Sequence, residues 1–157
     1  MLYYRDMALY KLYFDGSCGP KNPGGTAAHG FVLLREGQEE PVRVGSGVIG
    51  TGTGMTNNLA EFHALDQGLC AFISCHEAPG ARHALQVYGD SQLVVNIMNR
   101  HWKARPGKAY YESYANAVLN LGIIRRAGYV VSFDWIPREK NQLCDDLSKA
   151  HQEKSSK

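Results

Sequence analysis

The sequence predicts an α/β protein with a five-stranded mixed sheet flanked by helices, and three observations carry that reading. Three β-rich stretches follow one another on the N-terminal side with only turn and loop signals between them. Past residue 54 the apolar spacing switches from strand-like to helix-like. Two more short strands then appear among helical stretches, and strands joined through helices run parallel with a right-handed crossover. The element order is therefore βββαβααβα, with the first three strands as an antiparallel meander.

Residues 9–14 (Leu-Tyr-Lys-Leu-Tyr-Phe) are β-rich and stop at Asp15-Gly16-Ser17, a turn signal. A loop with Pro20, Asn22, Pro23, Gly24 and Gly25 follows. Residues 30–35 and 41–49 read as two strands joined at Glu36-Gly37-Gln38, a hairpin connection. After the glycine-rich 50–54, Leu59, Phe62, Leu65, Leu69, Phe72 and Ile73 recur at three- and four-residue steps, which predicts a helix. Residues 85–89 form a strand ending at Asp90, and Leu93, Val94, Ile97 and Met98 mark the next helix. A basic connection, 101–108, leads to a helix over 110–126. Residues 129–136 are the fifth strand, Pro137 closes it, and 141–150 form the last helix.

The chain has 157 residues, 44% hydrophobic and 20% charged, which suits one soluble domain and excludes collagen-like, disordered and disulfide-scaffold classes. The domain is expected over 1–150, with 1–8 as an N-terminal extension and 151–157 as a flexible tail. No apolar run approaches the roughly 20 residues of a membrane span. The opening Met1-Leu-Tyr-Tyr-Arg-Asp6 lacks the apolar core of a secretory signal, so a cytoplasmic location is expected. The net charge of +2 says little about partners by itself. With four carboxylates sequestered on metal, however, the remaining surface is clearly basic and suits a polyanion. Cys18, Cys70, Cys75 and Cys144 form no Cys-x-x-Cys pair, which removes zinc-ribbon and thioredoxin readings and leaves reduced thiols, mostly core filler.

Several motifs fail on context. Gly45-Ser-Gly-Val-Ile-Gly50 matches a dinucleotide loop, but more glycines follow it before a helix begins, so these read as strand glycines. Ser91 in Gly89-Asp-Ser-Gln-Leu93 is a nucleophile only with a His partner and an oxyanion hole, and neither can be placed. What remains is four carboxylates. Each has an ordinary explanation: Asp15 makes a turn before Gly16, Asp90 caps the following helix, Glu61 completes a capping box with Asn58, and Asp145 is a solvated helix charge. Their combination points elsewhere. If the first and fourth strands are parallel neighbours, Asp15 and Asp90 end about 4.8 Å apart in the crevice where open α/β sheets bind ligands. Clustered acids repel unless protons or cations enter. Oxygen ligands without Cys or His select Mg²⁺ or Mn²⁺ over Zn²⁺, and two such ions are the usual clamp for phosphodiester hydrolysis.

These residues resemble the type 1 ribonuclease H family. The resemblance rests on four blocks in order: Tyr13-Phe-Asp-Gly-Ser-Cys18 with Asn22-Pro-Gly-Gly25 and Gly30-Phe-Val32; Thr56-Asn-Asn-Leu-Ala-Glu-Phe-His-Ala-Leu65; Gly89-Asp-Ser-Gln-Leu-Val94; and Trp135-Ile-Pro-Arg-Glu-Lys-Asn-Gln-Leu-Cys-Asp-Asp-Leu-Ser148. It implies the ribonuclease H-like fold, with strand order 3-2-1-4-5. It also implies endonucleolytic cleavage of the RNA strand of RNA/DNA hybrids by a two-metal mechanism, leaving 5′-phosphate and 3′-hydroxyl ends. The catalytic and metal-binding acids fall on Asp15, Glu61, Asp90 and Asp145. Asp146 is the register alternative, and Asp145 is preferred because it follows Cys144 directly. Asp15 would bridge two Mg²⁺ (or Mn²⁺) ions, Glu61 and Asp90 would hold the ion near the leaving 3′ oxygen, and Asp145 would hold the one that activates water.

The resemblance also assigns substrate contacts. Backbone groups near Cys18 and the side chains of Asn22, Asn57, Asn58 and Gln92 would read the 2′-hydroxyl, which distinguishes RNA from DNA. The simpler role for Asn57 and Asn58 is to cap their helix. Thr56 would touch a DNA phosphate. The family's basic protrusion is shortened here to 101–108, where Trp102, Lys103, Arg105 and Lys108 either grip the DNA strand or form a solvated linker. Many members carry a His before the last acid, whereas this chain has Pro137-Arg-Glu-Lys140. Arg138 stays protonated and cannot be a base, so it is expected to touch phosphate or product, with modest turnover. The partner is a hybrid nucleic acid, with no membrane and a monomeric chain. The alternatives are the same fold acting on double-stranded RNA or another nucleic acid, a catalytically weak binding module, and the serine hydrolase reading of Ser91.

Overall fold

The computed structural model describes residues 8–75 and 83–155, with side chains described as far as Ala150. The proposed N-terminal extension thus lies outside the described residues except for Ala8. The elements are β1 (Leu9–Gly19), β2 (Thr26–Arg35), β3 (Arg43–Thr51), α1 (Asn57–Cys75), β4 (His83–Gly89), α2 (Gln92–Met98), α3 (Tyr111–Arg126), β5 (Tyr129–Trp135), a 3₁₀ turn (Arg138–Lys140) and α4 (Gln142–Ser155). The sheet order is β3-β2-β1-β4-β5, as the family resemblance implies. β1, β2 and β3 pair antiparallel, while β4 is parallel to both β1 and β5.

Alternation along β1 sends Tyr10, Leu12 and Phe14 into the core, against Phe62, Leu65, Leu69 and Phe72 of α1. Gly16 faces the same way, and Ala60 and Glu61 crowd the space a side chain would need there. On the opposite face Ser17 donates to the carbonyl of Ser148 in α4. β1 is therefore sandwiched between two helices, and Asp15 lies between them. Among the described residues no helix is long and apolar enough to cross a membrane.

Four local expectations change. The turn signal at Asp15-Gly16-Ser17 does not end β1, because pairing with β2 continues to Gly19 opposite Thr26. Only the parallel ladder with β4 stops there, at Phe14 opposite Gly89. The cap of α1 is Thr56, whose Oγ1 accepts from Leu59 N at 3.0 Å, so Glu61 lies beyond the first turn and forms no capping box with Asn58. The cap of α2 is Ser91, whose Oγ accepts from Val94 N, rather than Asp90. α4 continues to Ser155, past the expected end at Ala150, since no Gly or Pro interrupts its helix-forming residues. The glycines of 45–50 lie within β3, as expected of strand glycines.

Candidate active site

The site follows from where the strands stop. Asp15 follows the last residue of the parallel β1–β4 ladder, and Asp90 follows the last residue of β4. Ser91 supplies the cap of α2, its Oγ accepting from Val94 N, so the cap leaves the Asp90 carboxylate unused. Ile136 N donates to Gly89 O and the Trp135 indole N–H donates to Asp90 O, which ties the β5 end to the Asp90 turn. Glu61 arrives from α1 because Gly16 has no side chain to hold that helix away. One carboxylate oxygen from each of Asp15, Glu61 and Asp90 lies within 4.8 Å of the others.

Asp145 enters the same cleft from α4. Its Oδ1 is 3.3 Å from Arg138 Nη2 and its Oδ2 is 3.2 Å from Lys149 Nζ. Asn141 is buried and donates its amide to Phe14 O at 2.8 Å, pinning the start of α4 beside Asp15. Asp146 points away, accepting from Gln142 Nε2, and does not line the cleft. Of the two register alternatives, Asp145 is the one that lines the cleft. The cleft has a volume of about 480 Å³.

Electrostatics divide the four acids. Burial, with the charges of Asp90 and Asp145, pushes Asp15 up to about 7, although a hydrogen bond with Glu61 opposes this. Burial also raises Glu61 well above the usual carboxylate range, helped by Asp15 and Asp90. Burial acts on Asp145 too, but hydrogen bonds from Lys149 and Asp15 and the charges of Lys149 and Arg138 outweigh it and hold its carboxyl low. Glu61 Oε2 is buried without a hydrogen-bond partner. An orphaned oxygen among converging acids, with no Cys or His in the set, fits a hard divalent cation.

All but one of the expected substrate residues fall into two groups. Cys18, Asn57 and Asn58 line the acidic cleft, and Asn57 Oδ1 accepts from Cys18 N at 2.8 Å. Asn22 stands behind them, accepting from Asn57 N at 3.0 Å. Thr56, Trp102, Lys103, Arg105 and Lys108 line a second groove of about 990 Å³, and Asn58 borders both. Gln92 is exposed at the start of α2 and lines neither. Lys149, Trp135 and Asn141 were not singled out from sequence. Only Lys149 carried a readable signal, as a cation one helical turn after Asp145.

The sequence pattern of the family described as "Reverse transcriptase-like" matches residues 13–151. Among curated proteins, ribonuclease H of Syntrophus aciditrophicus (strain SB) is 28% identical over 149 residues, covering 88% of this chain and 77% of that protein. Ribonuclease H of Desulforamulus reducens is 27% identical over 150 residues, covering 88% and 84%. RNase H1 from the halophilic archaeon Halobacterium salinarum NRC-1 superposes with a TM-score of 0.72 at 28% identity, covering 92% of this chain and 98% of that one. LC11-RNase H1, isolated from compost by a metagenomic approach, gives 0.76 at 25% identity, covering 94% and 98%. LC11-RNase H1 has also been solved in complex with an RNA/DNA hybrid, and that structure gives 0.72 at 26% identity, covering 88% and 92%. This chain belongs to the reverse transcriptase-like family, in its type 1 ribonuclease H branch.

Proposed function

We propose that this chain is a divalent-metal-dependent endoribonuclease that hydrolyses the RNA strand of RNA/DNA hybrids, leaving 5′-phosphate and 3′-hydroxyl ends. The observation that carries the reading is the convergence of Asp15, Glu61 and Asp90 within 4.8 Å, with Glu61 Oε2 unpartnered. The hybrid bound by LC11-RNase H1 supports the substrate class. Asp15, Glu61 and Asp90 would hold one Mg²⁺ or Mn²⁺, and Asp15 with Asp145 a second. When bound, such ions polarise the phosphate and lower the pKa of attacking water.

The chain's own residues do the positioning. Asn57 uses its carbonyl oxygen on Cys18 N, so its amide N–H groups remain to meet a 2′-hydroxyl at the cleft edge. Asn58 lies where the acidic cleft meets the basic groove, the place where the RNA and DNA strands of one duplex would part. Trp102 is 48% exposed and, with Lys103, Arg105 and Lys108, offers a stacking face and cations for the DNA strand. Arg138 and Lys149 line the cleft beside Asp145, suited to a phosphate oxygen. Arg138 stays charged, so no proton is assigned to it.

The test is cleavage of a labelled hybrid with Mg²⁺, with Mn²⁺ and with EDTA, run beside RNA duplex and DNA duplex. Metal-dependent cutting confined to the RNA of the hybrid is expected. Asp15→Asn should keep the fold and lose cutting. Cleavage that survives EDTA, or equal cleavage of RNA duplex, would overturn the reading.

A further inference from the structure

Trp135 closes β5 and, among the described residues, is the one aromatic side chain lining the acidic cleft. Alternation places Tyr129, Val131, Phe133 and Trp135 on one face of the strand. Tyr129 and Phe133 are buried and Val131 packs against the core, whereas Trp135 lies past the end of that row, 48% exposed. Single exposed rings are ordinary, but this one is fastened in place. Its indole N–H donates to Asp90 O at 3.1 Å, and Ile136 N beside it donates to Gly89 O at 2.9 Å. The polar edge of the ring is therefore taken up by the protein, and its apolar surface is left to the cleft.

β1, β4 and β5 are neighbours in the sheet, so Asp15, Asp90 and Trp135 succeed one another across it. At about 4.8 Å per strand, the Trp135 backbone stands about 5 Å beyond Asp90 and about 10 Å beyond Asp15. Trp102 and the basic groove adjoin the cleft from the α1 side, through Asn58. Trp135 flanks the acids from the β5 side. A nucleic-acid strand advances about 3.4 Å per nucleotide, so a strand whose reacting phosphate sits on the acids passes Trp135 within about three nucleotides. Its phosphates suit Arg138, which lines the same cleft. Neither the acids nor Arg138 matches the apolar face of a ribose or base, and an indole does. On the function proposed above, we infer that Trp135 is a substrate-binding residue, a platform against which a nucleoside of the RNA strand packs next to the scissile phosphate.

Two substitutions separate this contact from a role confined to holding the Asp90 turn. Trp135→Ala removes both the ring and the N–H donor, while Trp135→Phe removes the donor and keeps an aromatic face. In steady-state cleavage of the hybrid, Trp135→Ala should raise KM by about tenfold with kcat nearly unchanged, and Trp135→Phe should stay near the wild-type KM. Equal losses of kcat and Mn²⁺ affinity in both variants would overturn the inference, since the missing donor would then explain everything. Trp102→Phe leaves Trp135 as the single tryptophan. In that background, with Asp15→Asn to prevent cutting, a labelled hybrid whose binding is followed by anisotropy should quench Trp135 emission as it saturates. Binding without quenching, or an unchanged KM in Trp135→Ala, would refute the contact and leave the proposed function standing. A wild-type chain that neither cuts nor binds the hybrid would remove that function, and the contact with it.

Discussion

Lys149 Nζ lies 3.2 Å from Asp145 Oδ2, one helical turn along α4, so the fourth acid of the cleft is already neutralised by its own helix. Arg138 reaches the other oxygen. Asp15, Glu61 and Asp90 show no such ion pair among the described residues. Lys149→Met should therefore make the cleft more negative and tighten Mn²⁺ binding in calorimetric titration. The partly exposed pair itself contributes about 1 kcal/mol or less to stability. Unchanged or weaker Mn²⁺ binding in the variant would refute this division of charge.

The metal-free protein should lose stability as pH rises. Asp15 is lifted to about 7 and Glu61 is lifted too, both chiefly by burial. Both bind protons more tightly folded than unfolded. Their contribution is complete below the ordinary carboxylate range; the part from Asp15 is lost as pH rises through about 7, and the part from Glu61 as pH rises through its own raised range. Between pH 5 and pH 8 the loss is on the order of 2–4 kcal/mol. Melting in EDTA at the two pH values measures it, and Mg²⁺ should raise the melting temperature more at pH 8. A flat profile in EDTA would contradict the assigned burial.

Much of this site was legible because its residues sit where strands and helices begin or end. Asp90 follows β4 directly, and the strand signal stops there. The extent of β1 was less legible. Asp15-Gly16-Ser17 has turn chemistry, yet β2 holds it extended and α1 requires the glycine for close packing. Local propensity does not contain that tertiary contact. The caps were misassigned for a related reason: Ser91 and Thr56 compete with neighbouring Asp90 and Asn58, and only the backbone geometry chooses between them. Asn141 and Trp135 act through main-chain oxygens of distant strands, at Phe14 and Asp90, which no spacing reveals.

Gly16→Ala tests how α1 is brought to the acids. An added Cβ would collide with Ala60 C and Glu61 N, both backbone atoms that cannot rotate away. Overpacking of this kind costs about 1–3 kcal/mol. It should also shift Glu61 from Asp15 and weaken Mn²⁺ binding. Thermal unfolding and calorimetry read the two effects separately, and a variant with wild-type values in both would show that α1 is free to move.

Glu61→Gln should separate stability from activity. Glu61 is 9% exposed, and in the metal-free protein a charge on it would face Asp15 and Asp90 with Oε2 unpartnered. The amide removes that charge, keeps the shape and supplies an N–H that can donate to Asp15. Stability at pH 8 in EDTA should then rise by about 1–2 kcal/mol. Hybrid cleavage should fall by about a hundredfold or more, since a neutral amide is a poor ligand for a hard cation. Denaturant unfolding and a single-turnover cleavage assay measure the two quantities. A variant that cuts normally would remove Glu61 from the ligand set, and one that is destabilised in EDTA would show that its buried charge is balanced by some group other than a bound cation.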